Sequence, residues 1–235
     1  MLTHIGIDKI LFLDIETVPC VYKFDDLDPK TQELYTLKTR FIQDREERDA
    51  SEVYDRAGIY AEFGKVICIS TAFVNGNTLR VKSFYGDDEK VVLEDFALLL
   101  NKYFASNDQY LCGHNIKEFD IPFLARRMVI NGLELPNMLD LAGKKPWEVR
   151  HLDTMELWKF GDYKHFTSLS LLTHIFGIPT PKDDISGADV SRVYWEEQDL
   201  ERIKVYCEKD TIAVAQLLMK FKNLPLINDE YIESV

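Results

Sequence analysis

The apolar run Ile10-Leu11-Phe12-Leu13, followed directly by Asp14-Ile15-Glu16, constrains the fold more than any other stretch of this sequence. Lys9 to Leu13 read as a buried strand. Side chains alternate faces along a strand, so Asp14 and Glu16 point the same way. Two carboxylates a few ångströms apart repel each other, and burying them unpaired is costly or forces a proton onto one of them. A divalent cation between them removes both difficulties, and hard oxygen donors of this kind suit magnesium or manganese. An isolated D-x-E pair is also what a strand shows where it ends in water. The metal reading therefore depends on the rest of the chain.

Two further stretches support it. "YLCGHNIKEFDIPFLARR" carries Asn115, Phe119 and Asp120, with Asp120 opening a segment of helical pattern. "IKVYCEKDTIAVAQLLMKF" is a long amphipathic run carrying Tyr206 and Asp210. Residues four apart share a helix face, so the phenol and the carboxylate project together. The order D-x-E, N-x-x-x-F-D, Y-x-x-x-D resembles the three motifs of the DEDD superfamily of 3′–5′ exonucleases. The histidine branch of that superfamily has a histidine five residues before the last aspartate, where this chain has Val205. The Tyr206 spacing resembles the tyrosine branch, DEDDy, which includes the proofreading domain of family B DNA polymerases. "AEFGKVICIS" and "FGIPTPKDDISGADV" also look like stretches of stand-alone bacterial predicted exonucleases related to that domain, and the similarity runs from about Lys9 to about Lys220.

The resemblance implies a metal-dependent exonuclease that hydrolyses phosphodiester bonds from the 3′ end of single-stranded DNA with two divalent ions, Mg2+ or Mn2+. Asp14 would bridge the ions, Glu16 and Asp210 would complete one site, and Asp120 would help hold the other. Tyr206 would orient the attacking water, because a phenol of ordinary pKa near 10 is a poor base at neutral pH. Ile15 and Thr17 would offer backbone or hydroxyl contacts to the terminal nucleotide. Asn115 either contacts substrate or ties the loop before Asp120, and Phe119 either touches a base or packs in the core. Asp153 either supports the site or caps the helix that follows. Arg126-Arg127 and Lys144-Lys145 are the candidate phosphate contacts. His114 is not required by the motif, and His151, His165 and His174 lack zinc-ligand spacing.

The remaining pattern predicts an α/β protein. The strands are the first one, "KVICISTAFVN", "TLRVKSFYG", "QYLCG" and "VRHLDT", the second and third joined at Asn75-Gly76-Asn77. Helices are expected at Glu89 to Phe104, Ile121 to Asn131, Thr167 to Phe176 and Leu200 to Phe221. Between Cys20 and Gly64 the chain leaves the sheet, with helical spacing from Glu33 to Ile42 and from Glu46 to Tyr60. This succession matches the ribonuclease-H-like mixed five-stranded sheet, flanked by helices, that the resemblance implies. A helical insertion follows the first strand, and no linker divides the 235 residues, which are read as one domain.

A hydrophobic content of 46% fits a folded chain. No apolar run reaches the roughly 18–20 residues of a membrane span, and no signal peptide is evident. Cys20, Cys68, Cys112 and Cys207 are scattered, so a reducing cytoplasm is the expected setting, with Cys68 and Cys112 as small core residues. The net charge of −12 is unlike the basic footprint of most nucleic-acid binders and argues against a long, tight footprint. Two rivals stay open: an RNA exonuclease of the same chemistry, since nothing in the motifs reads the sugar, and a catalytically silent nucleic-acid-binding protein on the same fold. The sequence names no replication or repair partner.

Overall fold

The computed structural model describes residues 1–162, 164–179 and 185–235. Residues 180–184, part of the family-like stretch from Phe176 to Val190, lie outside the described residues.

A mixed sheet of six strands carries the fold, in the order β5-β4-β1-β2-β3-β6. Strand β1 (Ile10–Pro19) lies inside it and is apolar on both faces because both are covered. Leu11, Leu13 and Ile15 enter one core with helices α2 (Glu89–Tyr103) and α3 (Asp120–Ile130). Ile10 and Phe12 enter the other, against the long helix α7 (Leu200–Phe221). Asp14 and Glu16 continue this second face.

Strand β1 pairs antiparallel with β2 (Gly64–Asn75), which pairs with β3 (Thr78–Tyr85) across a two-residue turn, Gly76-Asn77. On its other edge β1 pairs in parallel with β4 (Tyr110–Gly113), and β4 with the very short β5 (Leu152–Asp153). The sheet is the mixed one expected, with one more strand. Residues Ile232–Ser234 (β6) add in parallel to the outer edge of β3, a segment too short and polar to announce itself in sequence. The shorter helices are α4 (Thr154–Lys159), α5 (Leu169–Phe176) and α6 (Val190–Arg192), and α6 leads into a π-helical turn over Val193–Glu197.

Between β1 and β2 the chain forms α1 (Pro29–Glu46), capped by Asp28, whose carboxylate accepts from the Lys30 and Thr31 N–H groups. The second expected helix, Glu46 to Tyr60, does not form. Glu47 turns left-handed (φ 54°) and ends α1, and the Asp49 side chain takes the Ser51 and Glu52 N–H groups. Such local side-chain bonds compete with a helix, and only a 3-10 turn, Tyr54–Ile59, remains. The insertion has its own small aromatic core around Tyr35, which is fully buried and donates its hydroxyl to the Val53 carbonyl. It rejoins the sheet where Thr17 Oγ1 donates to the Gly58 carbonyl.

Arg127 lies inside this framework and not on its surface. Its guanidinium grips both Glu89 oxygens at 2.8 and 2.5 Å and donates to the Ala61 carbonyl, while Glu89 also accepts the Val66 N–H. This buried pair ties α3, α2, β2 and the insertion together. The expected phosphate contact from Arg127 is therefore corrected: its donors are spent internally.

Candidate active site

Across the β1–β2 ladder, Asp14 stands opposite Ser70 and Glu16 opposite Cys68, just before a bulge between Glu16 and Thr17. Both carboxylates face α7, as their two-residue spacing requires. From α7, Tyr206 and Asp210 project one turn apart, and the tyrosine hydroxyl is hydrogen-bonded to the Asp210 carboxylate. Cys207 lies between them, its Sγ 3.4 Å from the Asp14 carbonyl and 3.5 Å from Asp14 Oδ2. Donor atoms of Asp14, Glu16 and Cys207 lie within 4.8 Å of one another.

Asp120 arrives from the other side, as the first residue of α3. The parallel ladder with β4 stops at Phe12, and beyond it the Ile15 N–H donates to the Asp120 carboxylate. Gly113 permits this close approach. A Cβ there would stand 2.9 Å from the Leu13 carbonyl and 2.8 Å from the Ile116 side chain. The chain then turns through Asn115, which is left-handed (φ 66°), a conformation asparagine tolerates better than most residues. Its carbonyl accepts from the Glu118 and Phe119 N–H groups.

Asp153 fills both of the parts considered for it. Oδ1 accepts from Met155 and Glu156 and so caps α4, and it also accepts from the Asn115 N–H at 3.0 Å. Oδ2 takes the Lys117 N–H. One buried carboxylate thus fixes the turn that presents Asp120. His114 braces the same region, bonded to Thr154 Oγ1 and the Thr167 carbonyl at 2.9 Å each.

Burial and crowding set the electrostatics. Asp14 is held well above the usual carboxylate range by burial first, then by Asp120 and Asp210. Glu16 is raised likewise, by burial and then Asp14. Burial pushes Asp120 up to about 7 despite its two backbone donors. Burial also raises the Tyr206 phenol, with the Asp210, Glu16 and Asp14 charges acting the same way. The strongest neighbours of Asp14 and Glu16 are acids and thiols, not a lysine or arginine. Buried carboxylates crowded together in this way form a donor set that suits a hard divalent cation.

This crowding has a measurable consequence without any metal. Folded-state pKa values above the unfolded ones give stability that is complete in acid and lost as pH rises through the folded values. His151, pushed by burial to about 4, has the opposite sign, but its contribution is complete once pH exceeds the unfolded histidine value. Between pH 6.5 and 8.5 the acid cluster therefore dominates. Metal-free protein is expected to lose stability over that window, by less than about 1 kcal/mol through Asp120 alone. Thermal unfolding in a chelating buffer checks this; Asp120→Asn should flatten the loss, and an equal loss in the variant would remove Asp120 as its source.

The structure thus brings Asp14, Glu16, Asp120, Tyr206 and Asp210 to one place. Ile15 contributes its N–H to Asp120, and Thr17 turns its hydroxyl hydrogen to Gly58. Phe119 stacks at a tilt on Phe123, 5.5 Å between centroids, at the margin of the core. Sequence reasoning missed Cys207 and the placement of Cys68 beside it. The only signal was Cys207's position, next to Tyr206 on a helix already assigned to the site.

A family model described as a predicted 3′–5′ exonuclease related to the exonuclease domain of PolB matches residues 59–232. That stretch holds Asp120, Tyr206 and Asp210, whereas Asp14 and Glu16 precede it. No curated protein matches the chain. Among solved structures, the family B DNA polymerase of the hyperthermophilic archaeon Pyrobaculum calidifontis aligns with 90% of this chain at 17% identity and a TM-score of 0.53. The chain spans 24% of that polymerase's length, and at this identity the likeness is one of fold. Exonuclease I of E. coli, solved in complex with a dT13 oligonucleotide, aligns with 83% of this chain and 42% of its own at 14% identity and a TM-score of 0.40.

Proposed function

The chain belongs to the family of predicted 3′–5′ exonucleases related to the exonuclease domain of PolB, and we propose that it hydrolyses phosphodiester bonds from the 3′ end of single-stranded DNA. The observation that carries this reading is the acid cluster itself, with Glu16 and Asp120 buried and Asp14 and Asp210 half-buried, in which Asp14 is raised by burial and by both Asp120 and Asp210. A chain with no use for a cation gains nothing by crowding these groups.

In this reading Asp14, Glu16, Asp120 and Asp210 would hold two divalent cations of the magnesium or manganese type. When bound, the cations lower the pKa of a water and draw charge from the scissile phosphate and the leaving 3′-oxygen. The protein's own groups position the rest. Tyr206, whose phenol is raised above its ordinary value, keeps its proton at neutral pH and orients the nucleophilic water by hydrogen bonding. Asp153 holds the Asn115 turn so that Asp120 meets β1. Ile15, Thr17, Asn115 and Phe119 line the place of the terminal nucleotide. We read residues 1–235 as a single exonuclease domain with the insertion at about 20–64. The four free thiols fit a reducing cytoplasm, and among the described residues no helix is long and apolar enough to cross a membrane.

Calorimetry tests the metal: manganese is expected to bind at neutral pH, with affinity falling as pH drops and the carboxylates protonate. No binding, even with a 3′ nucleotide present, would remove the reading. Matched DNA and RNA strands labelled at the 5′ end, incubated with and without manganese, test the substrate. Shortening of DNA in preference to RNA is expected, the reverse preference identifies the RNA exonuclease, and no shortening of either identifies a silent binder.

A further inference from the structure

On the outer side of α3, away from the sheet, a cavity of about 1000 Å³ opens between that helix and the chain from Leu135 to Gly161. It is at the upper end of the range for ligand pockets, about 300–1,000 Å³. Its floor is apolar, from Ala125 and Val129 on one side and Leu139 on the other, and Asn115 and Asp153 stand in its wall. Those two residues build the turn that presents Asp120, so the cavity adjoins that turn.

The charge around it departs from the rest of the chain. The whole sequence has 40 acidic residues to 28 basic ones. Around this cavity the acids are largely spent: Asp153 on four backbone N–H groups, Glu156 on Lys117 at 2.6 Å, and Glu62 on Lys38 at 3.9 Å, which leaves Glu118. Arg126, Lys144 and Lys159 also line it, and among the described residues none of the three has an ion-pair partner.

Exposed aromatic rings flank these cations. Trp147, Phe160 and Phe166 are 78%, 71% and 66% exposed. Trp147 follows the lining residue Pro146 and has the Lys145 ammonium 5.3 Å from its centroid. Phe160 lies between the lining residues Lys159 and Gly161, and Phe166 has the Lys159 ammonium over it at 4.2 Å. Exposed rings interleaved with cations suit a single strand of nucleic acid, whose bases stack on any aromatic face and whose phosphates meet the cations. A duplex has its bases already stacked and offers nothing to these rings.

We propose that this cavity and its aromatic rim bind the single strand behind its 3′-terminal nucleotide, with Arg126, Lys144 and Lys159 on phosphates and Trp147, Phe160 and Phe166 on bases. The proposal rests on the exonuclease reading for its direction, but not for the binding itself. A short single-stranded footprint reconciles nucleic-acid binding with the acidic chain, because three local cations suffice.

Fluorescence anisotropy with a 5′-labelled ten-nucleotide single strand in chelating buffer separates binding from cleavage. Replacing Arg126, Lys144 and Lys159 together by glutamine should weaken binding and make the salt dependence shallower by about 2 in log–log slope. Trp147→Ala should weaken binding about 5–150-fold with an unchanged salt slope. Phe41→Ala, a change at an equally exposed ring on α1, should leave binding as in the parent. Parental affinity and slope in both the cation and the tryptophan variants overturn the proposal, as does equal affinity for a blunt duplex. A parent that binds the strand through these residues but never shortens it when manganese is added refutes the exonuclease reading and leaves the track standing.

Discussion

Asp14→Asn is expected to lower cleavage at least 10³–10⁴-fold, about 4–6 kcal/mol of transition-state stabilisation. Asparagine keeps the size of the side chain and removes the charge, so β1, its bulge and the docking of α7 have no steric reason to change. The position of Asp14 sets the magnitude: Asp120 from α3 and Asp210 from α7 both act on it, so it stands between the two halves of the cluster. The same substitution should leave thermal stability in chelating buffer at pH 8 equal to that of the parent or higher, because it removes a half-buried group whose ionisation its neighbours oppose. Single-turnover cleavage and thermal unfolding on the same preparation give both quantities. A variant that cleaves at the parental rate would move the site elsewhere. One that loses cleavage and stability together would make Asp14 a structural residue.

Tyr206→Phe is expected to slow hydrolysis about 10–10³-fold while manganese binding persists, a loss of about 1.4–4 kcal/mol. The ring still packs at the edge of the small core around Val193 and Ile203. What disappears is the hydroxyl, and with it the hydrogen bond to Asp210 and the hold on a water. A phenol raised by burial and three nearby acids is even less ionised at neutral pH than a free one and supplies no phenolate there, so the pH profile of the variant should run parallel to that of the parent. A profile in the parent that follows a single titration absent from Tyr206→Phe would instead make the tyrosine the base. Unchanged rates would leave it a packing residue.

What the sequence disclosed about this site follows from the range of its signals. The Asp14–Glu16 pair is legible because strand alternation is local, and the Tyr206–Asp210 pair because one helical turn is local. Asp153 and Arg127 are different. Asp153 acts through the Asn115 N–H, 38 positions away, and Arg127 through Glu89, also 38 positions away. Nothing in their neighbours in sequence distinguishes an internal tie from a solvated charge. The failed helix from Glu46 to Tyr60 has a local cause of another kind, since apolar periodicity takes no account of the Asp49 side chain competing for backbone N–H groups. The cavity beside α3 is bounded by chain segments whose distance apart only the fold sets, so Arg126 and Lys144 could be named in advance as candidate phosphate contacts but not brought together.

Helix α7 lies across β1 and β2 and buries Val214, Leu217 and Leu218 in its second half, while its first half carries Tyr206, Cys207 and Asp210. Cys207 meets Asp14 from 193 positions further along the chain. Contacts of such span close late, after the local hairpin β2–β3 and the neighbouring helices have formed. The repulsion between Asp210 and the acids of β1 therefore opposes the seating of the first half of α7. A cation taken up between the strand and the helix would act as a latch on that last step. In its absence the first turns of α7 should exchange their amide hydrogens faster than the turns beyond Ala213, and the chain would acquire its cutting edge only at the close of folding.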